Sequence, residues 1–285
     1  TKNFLNIKMN NTLFSKNKKY KDFFYKDYLN KKFEIIEIHN RAESLKYLID
    51  KKIEAKLIFV FHNNPKQIRG SRTISERIFI LDNTDKIFFV SNWTMKKFFE
   101  DLPFKSKANC EVLYPAIKPP KKFNSNKKKQ IIFAGKLNTS KGYDLFGVAI
   151  IKILNKYKDW SAVVVGNEPR EKFNFYHERL KIYDWLTHIK VLNLYKNSSI
   201  SIVPSKWEEP FGRTAMESAA YGCATITSPK GGLSETFNND LILKKITSNE
   251  IFNVVSRLIK NKKNLKTYQI KNYHNVLHKL SDQVN

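Results

Sequence analysis

Residues 203–235 read VPSKWEEPFGRTAMESAAYGCATITSPKGGLSE, and the punctuation of this stretch decides the fold. The apolar, β-branched run at 200–203 stops at Pro204, as a buried strand should. Residues 205–212 carry Pro210 and Gly212 and read as a loop. Residues 213–221 hold the helix formers Ala215, Met216, Glu217, Ala219 and Ala220, and Gly222 stops the helix. Residues 224–227 are short and apolar enough for a second buried strand, and Gly231-Gly232 opens the next turn.

A strand that feeds a loop and then a helix N-terminus builds a place for an anion. The first N–H groups of the helix are unpaired and its dipole favours negative charge. Glu209 and Glu217 flank that terminus. Carboxylates repel a phosphate pressed against them, but they accept short, charge-assisted hydrogen bonds from sugar hydroxyls. One anion site between two hydroxyl-binding carboxylates fits a nucleotide-sugar: diphosphate in the middle, hexose at one end, ribose at the other.

The run Glu209-Pro210-Phe211-Gly212, with Glu217 eight positions after Glu209, resembles the E-x7-E signature of the retaining glycosyltransferases of family 4, which have the GT-B fold. Pro204-Ser205 before it, and Gly222, Gly231, Gly232 and Glu235 after it, agree with that resemblance. The resemblance implies an α/β protein of two Rossmann-like domains with parallel sheets. It implies transfer of a hexose from a nucleoside-diphosphate sugar to a hydroxyl of a glycan or glycolipid acceptor, with retention, in cell-surface polysaccharide or lipopolysaccharide synthesis. Glu217 would hold the ribose, and Glu209, Phe211 and Gly212 the sugar. The N–H groups of Arg213 and Thr214 would stabilise the leaving diphosphate. No metal or other cofactor is expected, because cations and a helix dipole cover the task of magnesium.

Moving outward, residues 131–134 form a buried strand followed by Gly135-Lys136-Leu137-Asn138-Thr139-Ser140-Lys141-Gly142. In that family this turn carries a G-R-x4-K-G pattern whose two basic residues grip the diphosphate. Lys136 stands where Arg is usual and loses its bidentate fork; Lys141 matches. The next strand, 160–166, leads to a segment around Asp184-Trp185-Leu186-Thr187-His188 and a helix at 190–196. Relatives bind the nucleotide base beside that segment through backbone groups, and Trp185 reads equally as core or as a base platform.

The first half alternates strands at 33–38, 57–61 and 86–90 with helices at 43–50, 75–82 and 95–100, which means a parallel sheet. Ligands bind at the carboxyl ends of such strands, where His39, His62 and Ser91 fall. By resemblance His62 is the histidine that lies near the transferred sugar, with His39 the alternative match. Segment 20–32 places Tyr20, Phe23, Phe24 and Tyr28 on one helical face, and a helix packed on the sheet is favoured over one docked on a membrane. Residues 1–18 show no clear period. The prolines at 115, 119 and 120 and the lysine-rich run behind them mark a linker, with the charges read as solvated. The expected division is an acceptor-side domain at 1–120, a donor domain at 121–265 and a final helix at 266–285 packing back towards the first domain. Relatives begin with a strand and a glycine-rich loop, whereas Gly70 is the first glycine here and the chain starts at Thr1, so the first domain is expected to be shortened.

The net charge of +26 invites a nucleic-acid reading. Only eight of the 52 basic residues are Arg, however, and base and phosphate readers lean on the Arg fork. Abundant Lys, Asn, Ile, Phe and Tyr point to a compositional bias first, an anionic membrane surface second, and no nucleic-acid partner. Cys110 and Cys223 fit no metal or redox spacing and read as reduced core residues. No apolar run is long enough to span a bilayer and no signal peptide is visible. The expected location is cytoplasmic, peripheral at the inner face of the membrane. The rival reading is a non-catalytic or impaired sugar-nucleotide-binding remnant of the fold.

Overall fold

The computed structural model describes the backbone of residues 16–281 and the side chains of residues 19–281. Segment 1–15, with the readings attached to it, lies outside the described residues. The chain divides into two units: residues up to 112 without 91–93, and residues 91–93 with everything from 113 onward.

The first unit alternates α1 (Lys16–Lys31), β1 (Ile35–His39), α2 (Ala42–Asp50), β2 (Lys56–Phe61), α3 (Ile74–Asp82), β3 (Lys86–Phe89), α4 (Asn92–Phe99) and β4 (Cys110–Val112). All four strands are parallel and lie in chain order, β1-β2-β3-β4. Parallel pairing of consecutive strands requires the crossover that each intervening segment supplies. Phe59, Phe61, Phe89 and Phe98 are fully buried, and the Phe61 and Phe89 rings stack at 5.4 Å. Helix α1 seats Tyr28 in that core with Phe24 and Tyr25 packed beside it, while Tyr20 and Phe23 stay exposed. The first strand begins two residues later than the sequence pattern placed it. His39 therefore closes β1 instead of following it.

The second unit contains β5 (Lys128–Ala134), α5 (Tyr143–Lys156), β6 (Ser161–Val165), β7 (Leu180–Tyr183), α6 (His188–Asn197), β8 (Ser198–Val203), α7 (Arg213–Ala220), β9 (Ala224–Thr227), α8 (Ser248–Lys260) and α9 (Lys262–Ser281). Its parallel sheet runs β7-β6-β5-β8-β9. Helices cover both faces: Ile131 and Phe133 of β5 join the core under α5 and α8, and Ile132 joins the core under α6. Strand order reverses between β5 and β8, which is the switch point where open α/β sheets bind ligands. Helix α9 inserts Gln269 and Asn272 between elements of this unit, their amides donating to Ser199 O (3.0 Å) and Cys223 O (3.1 Å).

One sequence reading needs correcting. The lysine run is not wholly solvated: part-buried Lys127 caps two helices. Its Nζ donates to Tyr195 O in the last turns of α6 (3.0 Å) and to Tyr221 O just past α7 (2.5 Å). Burial pulls its pKa down from the ordinary lysine value. The cysteines are unpaired; burial pushes both the Cys110 and the Cys223 thiols up to about 11, which keeps them protonated. Among the described residues no helix is long and apolar enough to cross a membrane.

Gly142 starts α5 in the left-handed region (φ 72°), and a Cβ there would lie 2.1 Å from Pro204 O. Gly142→Ala should therefore destabilise the fold by about 1–3 kcal/mol, read as a lower denaturant midpoint at unchanged slope.

Candidate active site

The turn after β5 and the loop after β8 meet at the switch point through their backbones. Ser140 O accepts from Lys206 N (2.9 Å), Trp207 N (3.0 Å) and Ser205 Oγ (3.1 Å). Asn138 folds the first of these loops by accepting from Lys141 N (3.0 Å), which opens a short 3-10 turn over Thr139–Lys141. The Lys141 ammonium then reaches across to Glu209 Oε1 at 2.5 Å, where Ser205 Oγ also donates (2.7 Å). Glu209 Oε2 accepts no hydrogen bond from any described residue. Lys136, on the same turn, is exposed and makes no hydrogen bond or ion pair among the described residues.

The Gly231-Gly232 turn closes over the same loop. Gly231 N donates to Glu208 Oε2 and Gly232 N to Glu209 O, both at 2.6 Å. A Cβ on Gly231 would sit 2.1 Å from Glu209 O, so this close approach requires glycine. Phe211 turns inward, 3% exposed, with its ring 5.8 Å from Tyr114. Its side chain is thus packing, and only its backbone is left to meet a ligand.

Gly212 (φ 114°) starts α7 without a side-chain cap. The N–H groups of Arg213 and Thr214 find no acceptor among the described residues, which leaves the positive end of the helix open. One turn further, the Glu217 side chain is 9% exposed. Its Oε1 is held by His188 Nε2 (3.0 Å) and Arg213 Nη2 (3.3 Å), while Oε2 accepts from no described residue. Burial first, and the Glu217 charge second, raise the pKa of Tyr195 behind it.

In the first unit the two histidines that the sequence left as alternatives form one pair. His39 Nδ1 and His62 Nε2 lie 2.7 Å apart, and the rings stack with centroids at 5.0 Å. Glu37 Oε2 stands 3.3 Å from His39 Nε2, which assigns the proton to that nitrogen. His39 Nδ1 then accepts from His62, leaving His62 Nδ1 with a free lone pair. Partial burial, and secondarily His39, hold the pKa of His62 below the ordinary histidine value.

The structure thus joins Lys141 to Glu209 and sets Gly212, Arg213, Thr214 and Glu217 on one helix start. Sequence reading overlooked Asn138, Ser205 and His188. The first two were legible as an Asx residue heading a turn and a hydroxyl after a strand; His188 carries no local signal, since its partner lies 29 residues on. Trp185 is 64% exposed, which removes its core reading. The carboxylate of Glu168, bonded by Arg170 Nε (2.7 Å) and Nη2 (2.8 Å), is held down at about 2 and buttresses Asn138.

Residues 116–275 match the glycosyl transferases group 1 family, more than half of the chain and every residue of the switch-point site. The chain belongs to that family. Relatives of this group 1 glycosyl transferase domain include the Bacillus subtilis protein YtcC, 23% identical over 73% of this chain and 58% of its own. Another is the lipopolysaccharide 1,2-N-acetylglucosaminetransferase of Salmonella typhimurium, 24% identical over 80% of this chain and 64% of its own. The chain therefore spans about three fifths of the length of these relatives. In fold it is similar to Anabaena HepE, solved with UDP-glucose, with a TM-score of 0.71, 14% identity, and coverage of 93% of this chain and 80% of that one. The two parallel-sheet units are of the GT-B type.

Because the pKa of His62 is lowered in the folded chain, the sign of its pH dependence is fixed. Above about pH 6.5 the group is neutral in both folded and unfolded states. As pH falls below that value the unfolded chain takes up a proton that the folded chain refuses, so stability falls until the lowered folded pKa is passed. Titration of the His62 ring by NMR should give a midpoint below that of free histidine. His39→Ala should move it upward.

Proposed function

We propose that this chain transfers a hexosyl group from a nucleoside-diphosphate sugar to a hydroxyl of a glycan or glycolipid acceptor, with retention at the anomeric carbon. One observation carries the reading. Two nearly buried carboxylates flank an open helix N-terminus, each held by one oxygen and presenting the other, with a cation fixed beside the first. Free carboxylate oxygens select hydroxyls, and the uncapped N–H groups of Arg213 and Thr214 select an anion between them.

In this reading Glu217 Oε2 takes the ribose and Glu209 Oε2 the hexose. Lys141 spans Glu209 and the diphosphate, so its charge is shared between them, and exposed Lys136 supplies a second cation. The bond from the anomeric carbon to the phosphate oxygen breaks, with its electron pair leaving on the diphosphate. The acceptor oxygen bonds to the same face of that carbon, and its proton passes to the departing phosphate. Lys141, Lys136 and the start of α7 stabilise the charge that grows there, without a metal ion. His62, with its free Nδ1, is the first unit's candidate for accepting a hydrogen bond from the acceptor hydroxyl. The name of the Salmonella relative supports a role in lipopolysaccharide or polysaccharide synthesis, and the net charge of +26 suits a place at an anionic, cytoplasmic membrane face.

The test is product analysis by mass spectrometry and NMR on a panel of UDP-, GDP- and ADP-sugars. A transferred hexose with the donor's anomeric configuration is expected; inversion would overturn the retaining step, and a chain that binds donors without turnover would be a binding remnant. Glu217→Gln should weaken nucleotide binding by about 1.5–3 kcal/mol in calorimetry. Lys141→Ala should weaken the diphosphate far more than the free nucleoside, and equal losses would place Lys141 elsewhere.

A further inference from the structure

The contact between His188 and Glu217 is not explained by fold maintenance. His188 is the first residue of α6 and its side chain is 60% exposed, so no core depends on it. The helix that carries it is nevertheless rigidly placed: Tyr195, two turns on, is 1% exposed and packed with Ile132, Val163 and Cys223. A fixed helix therefore aims an exposed imidazole at a carboxylate that is itself nearly buried. Arg213, also exposed at 61%, reaches the same oxygen from one turn away on α7.

Glutamate has three side-chain torsions, and a carboxylate free to rotate about them would present its oxygens in many directions. Two donors converging on Oε1 from different helices fix both the position and the plane of the group. Oε2, with its two lone-pair sites, is left as the acceptor offered to a ligand. We infer that His188 is a positioning residue of the nucleotide site: it holds Glu217 by one oxygen so that the other meets the ribose hydroxyls, and it thereby sets the preference for ribonucleotides over 2′-deoxyribonucleotides. The inference rests on the reading that Glu217 receives the ribose, and it adds a selectivity to that site.

The test is calorimetric binding of UDP, GDP and ADP to the full chain, then of the 2′-deoxy form of whichever binds best. The unaltered chain should prefer the ribonucleotide by about tenfold or more, the worth of one hydrogen bond to a charged group. His188→Ala, a change at an exposed position, should weaken the ribonucleotide by about 3–10-fold and the deoxynucleotide by less than about twofold, since Arg213 still holds part of the grip. His188→Gln, whose amide can donate to the same oxygen, should recover most of the preference. Equal losses for both nucleotides would show a merely structural role and overturn the inference. So would tighter ribonucleotide binding in His188→Ala, which would make the ring a plug over the site. Glu217→Gln separates the two levels. If it abolishes the ribose preference while His188→Ala leaves it intact, the inference fails and the reading of Glu217 stands. If the preference survives Glu217→Gln, or no nucleotide binds the unaltered chain, both fail.

Discussion

Two loops from non-adjacent stretches of chain can touch at the β5–β8 switch point because their backbones approach without side chains between them. Gly142 lies against the Pro204 carbonyl where a single added carbon would be 2.1 Å from the oxygen. That approach lets Ser140 O gather three donors from 205–207, and only then does Lys141 stand within reach of Glu209. The charged pair is thus a consequence of backbone packing. Its geometry is set before any ligand arrives, which is the condition under which a fixed charge stabilises a developing one.

The electrostatics of the second unit follow a common pattern. Each nearly buried carboxylate near the site is held at one place by a cation or a neutral donor: Glu209 by Lys141 and Ser205, Glu217 by Arg213 and His188, Glu168 by Arg170. Burying a carboxylate without such partners would be expensive, so the partners make the burial tolerable. The first unit instead pairs two imidazoles. They place a polar, proton-bearing group at the carboxyl ends of β1 and β2, with His62 held below the ordinary histidine pKa.

Much of this was legible in the sequence because the relevant signals are local. Pro204, Gly212 and Gly222 bracket the loop and helix around the two glutamates, and 224–227 is a strand as read. Helix starts were less legible. Helix α4 begins at Asn92, three residues before the sequence pattern placed it, because Asn92-Trp93-Thr94 have no strong helix propensity of their own. The site's long-range partners could not be read at all. Nothing near His188 announces Glu217, and nothing near Phe211 announces that its side chain is packed inward. A lysine-rich segment hides its helix-capping member most effectively of all, since Lys127 differs from its neighbours in where its ammonium ends up.

That ammonium has a practical consequence for dissecting the protein. Lys127 sits one residue before β5 and terminates both α6 and α7, the helices that bring His188 and Glu217 together. The natural place to cut, judged by where the sheet begins, would remove it. Such a cut would uncap the ends of the two helices that carry His188 and Glu217 while leaving every strand of the sheet intact. The boundary of the second unit is therefore drawn by one side chain in the connecting segment, and a cut that keeps residue 127 differs in kind from one that starts at 128.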